Sequence, residues 1–374
     1  MKNFTKYEYV LFVILIFVLT GTCKREVNAW RGTIESEDGI TVVKNPKELM
    51  YGEDVISLEE ELSIGEAEGR EEYMFSQVID VGVDNKENMY ILDSLEAHIR
   101  VFNKNGEYLK TIGRKGQGPG EIQRAINIHI TPTDEILIND RGARNFHFFT
   151  LGGEYIRSIY QGRMSRPQVD TQNNIVARQT VMDAAEVRFV LTKFDPGLND
   201  LFEIFSYEYE INPNIYNVYP PQCFWGIRSD DSIVWGYADK YEFQILDRNG
   251  QVIKKIIKDH NPVEITEEDK QEWIRFAFGD SGVPSGAKVS WKKYHNAFQF
   301  LNIDNEGRIF VQTYEKTADG IGYYYDVFNS EGKYIAKIPL KIRPQVIKKN
   351  KLYTIEEDEE GYQKIKRYKV TWKY

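Results

Sequence analysis

Residues 75–113 read FSQVIDVGVDNKENMYILDSLEAHIRVFNKNGEYLKTIG, and residues 122–160 read IQRAINIHITPTDEILINDRGARNFHFFTLGGEYIRSIY. Superposed at a shift of 47 without a gap, they are identical at Ile79/Ile126, Ile91/Ile138, Asp93/Asp140, Phe102/Phe149, Gly106/Gly153, Glu107/Glu154, Tyr108/Tyr155 and Ile112/Ile159. Self-similarity at this period marks a propeller or a solenoid. The contents of the unit decide between them. Val81 and Val83 alternate with Asp80, Gly82 and Asp84, the period of a half-buried strand. A polar turn over residues 85–88 leads into a second apolar run, Met89 to Leu92, and His98 to Phe102 forms a third. Asn103-Lys104-Asn105-Gly106 reads as a tight turn before a fourth strand, Glu107 to Ile112. Four short antiparallel strands per repeat build one blade of a β-propeller.

Degenerate copies of the outer hairpin recur at Lys193–Ile204, Tyr241–Ile257 and Tyr325–Ile338. Inner strands precede them at Ile175–Ala177, Ile233–Trp235 and Arg308–Val311, and Lys351–Ile355 with Tyr362–Trp372 supplies an incomplete last unit. Turn glycines fall at Gly106, Gly153, Gly197, Gly250 and Gly332. The expected fold is an all-β, six-bladed β-propeller, with an N-terminal strand completing the last blade so that no edge stays unpaired. Seven blades is the alternative if Val55–Ile64 forms a blade of its own. The interval from Gly250 to Gly332 is too long for one blade. Inside it, Thr266 and Asp269 make a capping-box-like start, acids fill the first turn, and Gly279 is a stop signal. Trp273, Ile274, Ala277 and Phe278 fall on one helical face. A short helical insertion, about residues 263–295, is therefore expected between the fourth and fifth blades, packed on the propeller rim.

The chain has 374 residues, of which 48 are Lys or Arg and 57 Asp or Glu, for a formal charge of −9. That balance argues against a nucleic-acid partner, whose phosphates need a basic face. A hydrophobic content of 41% excludes disorder for the bulk of the chain. Lys2 and Lys6 precede an apolar run from Tyr9 to Leu19, shorter than the ~20 residues that cross a bilayer. Small residues and Cys23 follow, which is the layout of a secretory signal. Residues 1–22 thus read as a signal peptide, 23–29 as a tether and 30–374 as the propeller. Leu19-Thr20-Gly21-Thr22-Cys23 resembles a bacterial lipoprotein cleavage site. The resemblance implies lipid attachment at Cys23 and export to the periplasm or cell surface, with the membrane reached through an N-terminal anchor. Cys223 then stands alone beside aromatics as a small buried hydrophobe, leaving no disulfide framework and no Cys-based zinc site.

Residues 88–93 (Asn-Met-Tyr-Ile-Leu-Asp), 99–109 and the linker Ile112-Gly113-Arg114-Lys115-Gly116-Gln117-Gly118-Pro119-Gly120-Glu121 carry a wider likeness, as does Gly39 to Pro46. The pattern resembles six-bladed β-propeller proteins of the NHL-repeat type, found widely as bacterial exported lipoproteins. The resemblance implies fold and export; it implies no activity, because function sits in sites and not in folds.

No dense catalytic constellation is legible. The linker at Gly113–Gly120 is not a phosphate loop, because Pro119-Gly120-Glu121 leads into a strand and not a helix. The candidate ligand-binding residues are Asp80, Asn127 and His129 on the innermost strands, with Arg114 and Lys115 in the first linker. Asp93 and Asp140 recur where a strand enters a turn, a place where Asp binds backbone N–H groups. Phe224, Trp225, Trp235, Tyr237 and Tyr241 read as packing between blades before they read as a sugar platform. The expected function is a monomeric binding module for a protein, peptide or glycan at a propeller face, with no cofactor and no metal. The alternative is a hydrolase or lyase using Ca²⁺ or another divalent metal in the channel near Asp80 and His129, as some NHL-type propellers do.

Overall fold

Turn chemistry sets the register of each sheet. In the outer hairpin of the first repeat, Asn103 Oδ1 accepts the N–H groups of Asn105 and Glu107 at 2.9 and 3.0 Å, closing an Asx turn. Asp247 and Asn329 do the same with the residues two and four further on. Inner hairpins use the same device at Asp84, Asp170 and Asp304. Gly106 meets two demands at once. Its φ is +81°, and a Cβ there would lie 2.7 Å from Leu62 on the adjoining blade. Gly197 does not hold the corresponding place in the third blade. Asp195 closes that turn on the N–H groups of Gly197 and Asn199, so the left-handed position falls on Leu198, at φ +65°.

The computed structural model describes residues 29–52, 55–182, 186–209 and 215–374. It contains six four-stranded antiparallel units. Blade 1 runs Val78–Val83, Met89–Asp93, His98–Phe102 and Tyr108–Ile112 from inside to outside. The innermost strands of blades 2 to 6 are Ala125–Ile130, Met164–Val169, Cys223–Ile227, Phe300–Ile303 and Val346–Lys348. Together with Val78–Val83 these touch their neighbours in a closed cycle. The runs at Ile175–Ala177, Ile233–Trp235 and Arg308–Val311, expected as inner strands, belong to second strands; in blade 3 the true inner strand, Met164–Val169, is more polar and bulged.

Closure comes from Ile56–Ile64, which pairs antiparallel with Gln363–Trp372 as the fourth strand of blade 6. That pairing removes the seven-blade alternative. The earlier hairpin, Thr33–Glu37 with Ile40–Asn45, instead runs parallel to Val252–Lys258 and widens blade 4. Asn45 pins it there: its Nδ2 donates to Gly332 O (3.0 Å) and its Oδ1 accepts from Tyr334 N–H (2.7 Å). The expected signal peptide, residues 1–22, and Cys23 lie outside the described residues.

Burial follows position in the blade. Met89–Asp93 is buried throughout, whereas Tyr108–Ile112 alternates towards solvent. Such middle strands read as continuous apolar runs because both faces pack against neighbouring blades. Their polar ends are tied down. Asp93 accepts from Ser76, Gln77 and Glu96 N–H groups, and Asp140 from Gln123, Arg124, Gly142 and Ala143 at 2.6–3.1 Å. Burial raises the Asp140 pKa, but His147 and these backbone donors outweigh it and hold the carboxyl at about 2, below the ordinary 3.8. A folded-state pKa below the unfolded one stabilises above the unfolded value and is lost as pH falls through the folded one. Asp140 should therefore contribute about 2 kcal/mol at neutral pH, lost between about pH 4 and 2. Denaturant midpoints of wild type and Asp140→Asn should converge over that window; a constant difference down to pH 2 would contradict it.

Candidate functional site

Irregularity on the innermost strands places side chains at the channel. The pairing of inner and second strands slips between Val78 and Asp80, between Ala125 and Asn127, and between Ser165 and Gln168. Bulges of this kind re-aim a side chain. They carry Asp80, Asn127 and Arg166. Arg166 sits at φ +52°, an uncommon conformation for a residue with a Cβ.

The helix Glu267–Phe278 stands over one mouth of the channel, between blades 4 and 5. Thr266 and Asp269 form a full capping box at its start. Asp269 also pairs with His295 Nε2 at the far end of the insertion (3.3 Å) and with Lys316 Nζ of blade 5 (3.4 Å), which anchors the helix. The His295 ring in turn stacks on Tyr314 at 4.2 Å. Trp273 and Phe278 are half-buried, but Ala277 is exposed, so the rim-packing face is narrower than its helical spacing suggests. Phe276 is 90% exposed while still lining the mouth.

Between helix and blades lies a cavity of about 480 Å³. Arg166, Phe224, Phe300 and Arg343 form its floor, Trp273 and Phe276 its helical wall, and Gln222, Asn296 and Gln299 add amides. Arg166, Phe224 and Phe300 also line a second space of about 270 Å³ that continues down the channel to His129. Partial desolvation in the mouth lowers the Arg166 pKa to about 10 and lowers that of Arg343 as well, with Arg343 adding repulsion on Arg166, and both side chains keep exposed surface.

The structure brings Asp80 and Asn127 together. Asp80 Oδ2 accepts from Asn127 Nδ2 at 2.6 Å and from Ile128 N–H at 3.0 Å, and its Oδ1 accepts from Val81 N–H. Burial pushes its pKa up to about 6 despite these donors and the nearby Arg343. His129 lies on the same strand as Asn127, but its Nε2 accepts from Val169 N–H at 3.3 Å in blade 3. Burial, with Lys348 nearby, pushes its pKa down to about 4, so the imidazole is neutral at pH 7. Arg114 is bound to Glu121 (2.8 Å) within its own linker, and Lys115 bridges to Ile122; neither borders the mouth cavity. Among the described residues, no three His, Cys, Asp or Glu side chains are grouped as metal ligands would be. Cys223 is buried and its thiol is pushed up to about 12, far from a thiolate nucleophile. Trp225, Trp235 and Tyr241 are buried in packing; Phe224 is buried too, yet borders the cavity.

Arg166, Arg343, Phe300 and Gln222 were not legible as site residues. They come from blades 3 and 5 and from the linkers entering blades 4 and 6, where the repeat has decayed. An unexplained Arg beside a Pro in Met164–Val169 is the one signal that pointed there.

Residues 66–219 match the model of DUF5128, a family described as a 6-bladed beta-propeller. Among solved structures, the chain is similar to a protein of Bacteroides fragilis NCTC 9343 inferred to be exported. Identity is 11%, with 89% of this chain and 100% of that one covered and a TM-score of 0.58. It is also similar to a member of the DUF4221 family from Bacteroides vulgatus, at 12% identity, 86% and 100% coverage and a TM-score of 0.52. These likenesses are of fold: the chain is a six-bladed β-propeller. No curated protein matches it.

Proposed function

We propose that this chain is an exported, lipid-anchored propeller of the NHL-repeat type that binds a glycan, peptide or protein segment at the helix-covered mouth of its channel. The observation that carries the reading is the cavity of about 480 Å³, where aromatic faces, amides and two guanidinium groups converge. Mostly apolar concavities with a few convergent polar groups are the usual form of a ligand site. Residues 1–22 as a signal peptide and 23–29 as a tether, with Cys23 as the attachment point, support export and anchoring, and the similar Bacteroides fragilis protein is likewise inferred to be exported. A monomer suffices, because one chain supplies the whole cavity wall.

The alternative, a divalent metal at Asp80 and His129, is less well supported. Asp80 already accepts three N–H groups, and the charges whose field reaches it come from Arg343 and Arg166. Such surroundings favour an anion over a cation.

A bound ligand stabilises the folded state by mass action. Thermal unfolding of the chain against a panel of soluble oligosaccharides and peptides should yield stabilising ligands. Their effect should vanish in the Trp273→Ala, Phe276→Ala double variant. Stabilisation that survives both substitutions would move the site away from the mouth.

A further inference from the structure

Arg166 and Arg343 lie over the same ring, that of Phe300, with their guanidinium carbons 5.3 and 3.7 Å from its centroid. Arg166 also reaches over Phe224, at 5.4 Å. Among the described residues neither has a salt bridge or a hydrogen bond, whereas Arg114, Arg308 and Arg367 are each bound to Glu or Asp. Both arginines keep exposed surface towards the mouth and repel each other, so together they present positive charge that no acid of the described chain pairs and that an incoming anion could take up. The nearest candidates within the chain do not neutralise it. Asp80 is committed to backbone and Asn127 donors, and Glu272 stands on the helical wall without bonding either arginine. A guanidinium over a ring still offers its fork of N–H donors edge-on, the geometry that suits a carboxylate.

The remaining lining specifies what carries that carboxylate. The Gln222 amide makes no hydrogen bond to the described residues. Gln299 spends its Nε2 on Thr313 O at 2.6 Å, which leaves its oxygen as an acceptor. Acceptors beside flat aromatic faces suit hydroxyl groups on a compact ring. We infer that the mouth binds a saccharide bearing a carboxylate, a uronic-acid unit, with the carboxylate on Arg343 and Arg166, hydroxyls on Gln222 and Gln299, and the ring face against Phe300 and Trp273. This inference rests on the mouth being the ligand site.

Calorimetric titration of the full chain with digalacturonate, neutral digalactose and sodium sulfate tests it. Digalacturonate should bind at least about tenfold more tightly than digalactose. Arg343→Ala and Arg166→Ala should each weaken it about 10- to 100-fold, the range for a lost charge-assisted hydrogen bond. Arg343→Lys, which keeps the charge but not the fork, should weaken it about threefold or more. Unfolding midpoints should fall only slightly, because the arginines lose ring contacts to Phe300 and Phe224 but no ion pair or side-chain hydrogen bond among the described residues. Equal affinity for the two sugars, unchanged affinity in the arginine variants, or sulfate binding as tightly as digalacturonate would overturn the inference, the last by indicating a bare anion site. No binding by any of the three probes would also overturn it. The mouth itself is judged separately, by whether ligands from the wider panel depend on Trp273 and Phe276.

Discussion

A variant lacking residues 29–64 is expected to lose its cooperative fold and aggregate, while one lacking only residues 29–45 remains a folded monomer. The difference lies in what each segment closes. Ile56–Ile64 pairs with Gln363–Trp372 from Ile64 opposite Ile365 to Ile56 opposite Trp372. Glu60 and Glu61 reinforce the pairing through Lys366 and Arg367 at 3.0 and 3.1 Å. Ile64 is buried, and Leu62 lies where a Cβ on Gly106 would strike it. Without the strand, a ten-residue edge of blade 6 is unpaired and blade 1 loses part of its packing against blade 6, the condition under which sheets join edge to edge. The hairpin of residues 33–45 lies outside an already complete blade 4, so its loss removes the Asn45 bonds to Gly332 and Tyr334 but leaves the ring shut. Size-exclusion chromatography with near-ultraviolet circular dichroism would read the result. Native-like spectra from the longer deletion would mean that closure does not depend on this strand.

Asp326→Ala should lower the stability of the fold by about 3–5 kcal/mol, the scale for breaking a buried ion pair from one side. Asp326 is buried where blades 4 and 5 meet. It accepts from the phenols of Tyr241 (2.5 Å) and Tyr334 (2.8 Å), and Lys258 Nζ lies 3.4 Å away. Lys258 is itself buried and stands over both tyrosine rings. Loss of the carboxylate strands an ammonium among aromatics, held by a backbone carbonyl of Asp259 but no acid. Pairing Asp326→Leu with Lys258→Met should recover part of the loss, since an apolar pair avoids the desolvation that the charges incur. Guanidinium unfolding of the three proteins would decide it. A single-variant loss below about 1 kcal/mol, or a double variant worse than the single, would contradict this account.

Much of the blade was legible because its causes are local. Asx turns at Asn103, Asp247 and Asn329, and alternation through Val81 and Val83, act over a few residues and leave a mark in sequence. The errors share a cause as well. Gly197 looked like the turn glycine, but the turn counts from Asp195, which hands the position to Leu198. In blades 3 to 5 the second strands read in sequence as inner ones, because strands packed on both faces carry the stronger apolar signal. Innermost strands such as Met164–Val169 are short, bulged and partly polar. The site is built from those strands. Asp80 and Asn127 could be picked out by their 47-residue spacing, and they do meet; Arg166 and Arg343 share no such repeat.

By itself, then, the chain of residues determined that a four-stranded unit recurs, where most of its turns fall and where one helix interrupts it, since each depends on neighbours in sequence. Only the folded ring decided that residues 56–64 seal the last blade, that residues 33–45 ride on the fourth, and that two arginines 177 positions apart share the ring of Phe300. Those outcomes depend on which strand edges and mouth-facing side chains come together once the circle is complete, and a linear pattern records no such proximity.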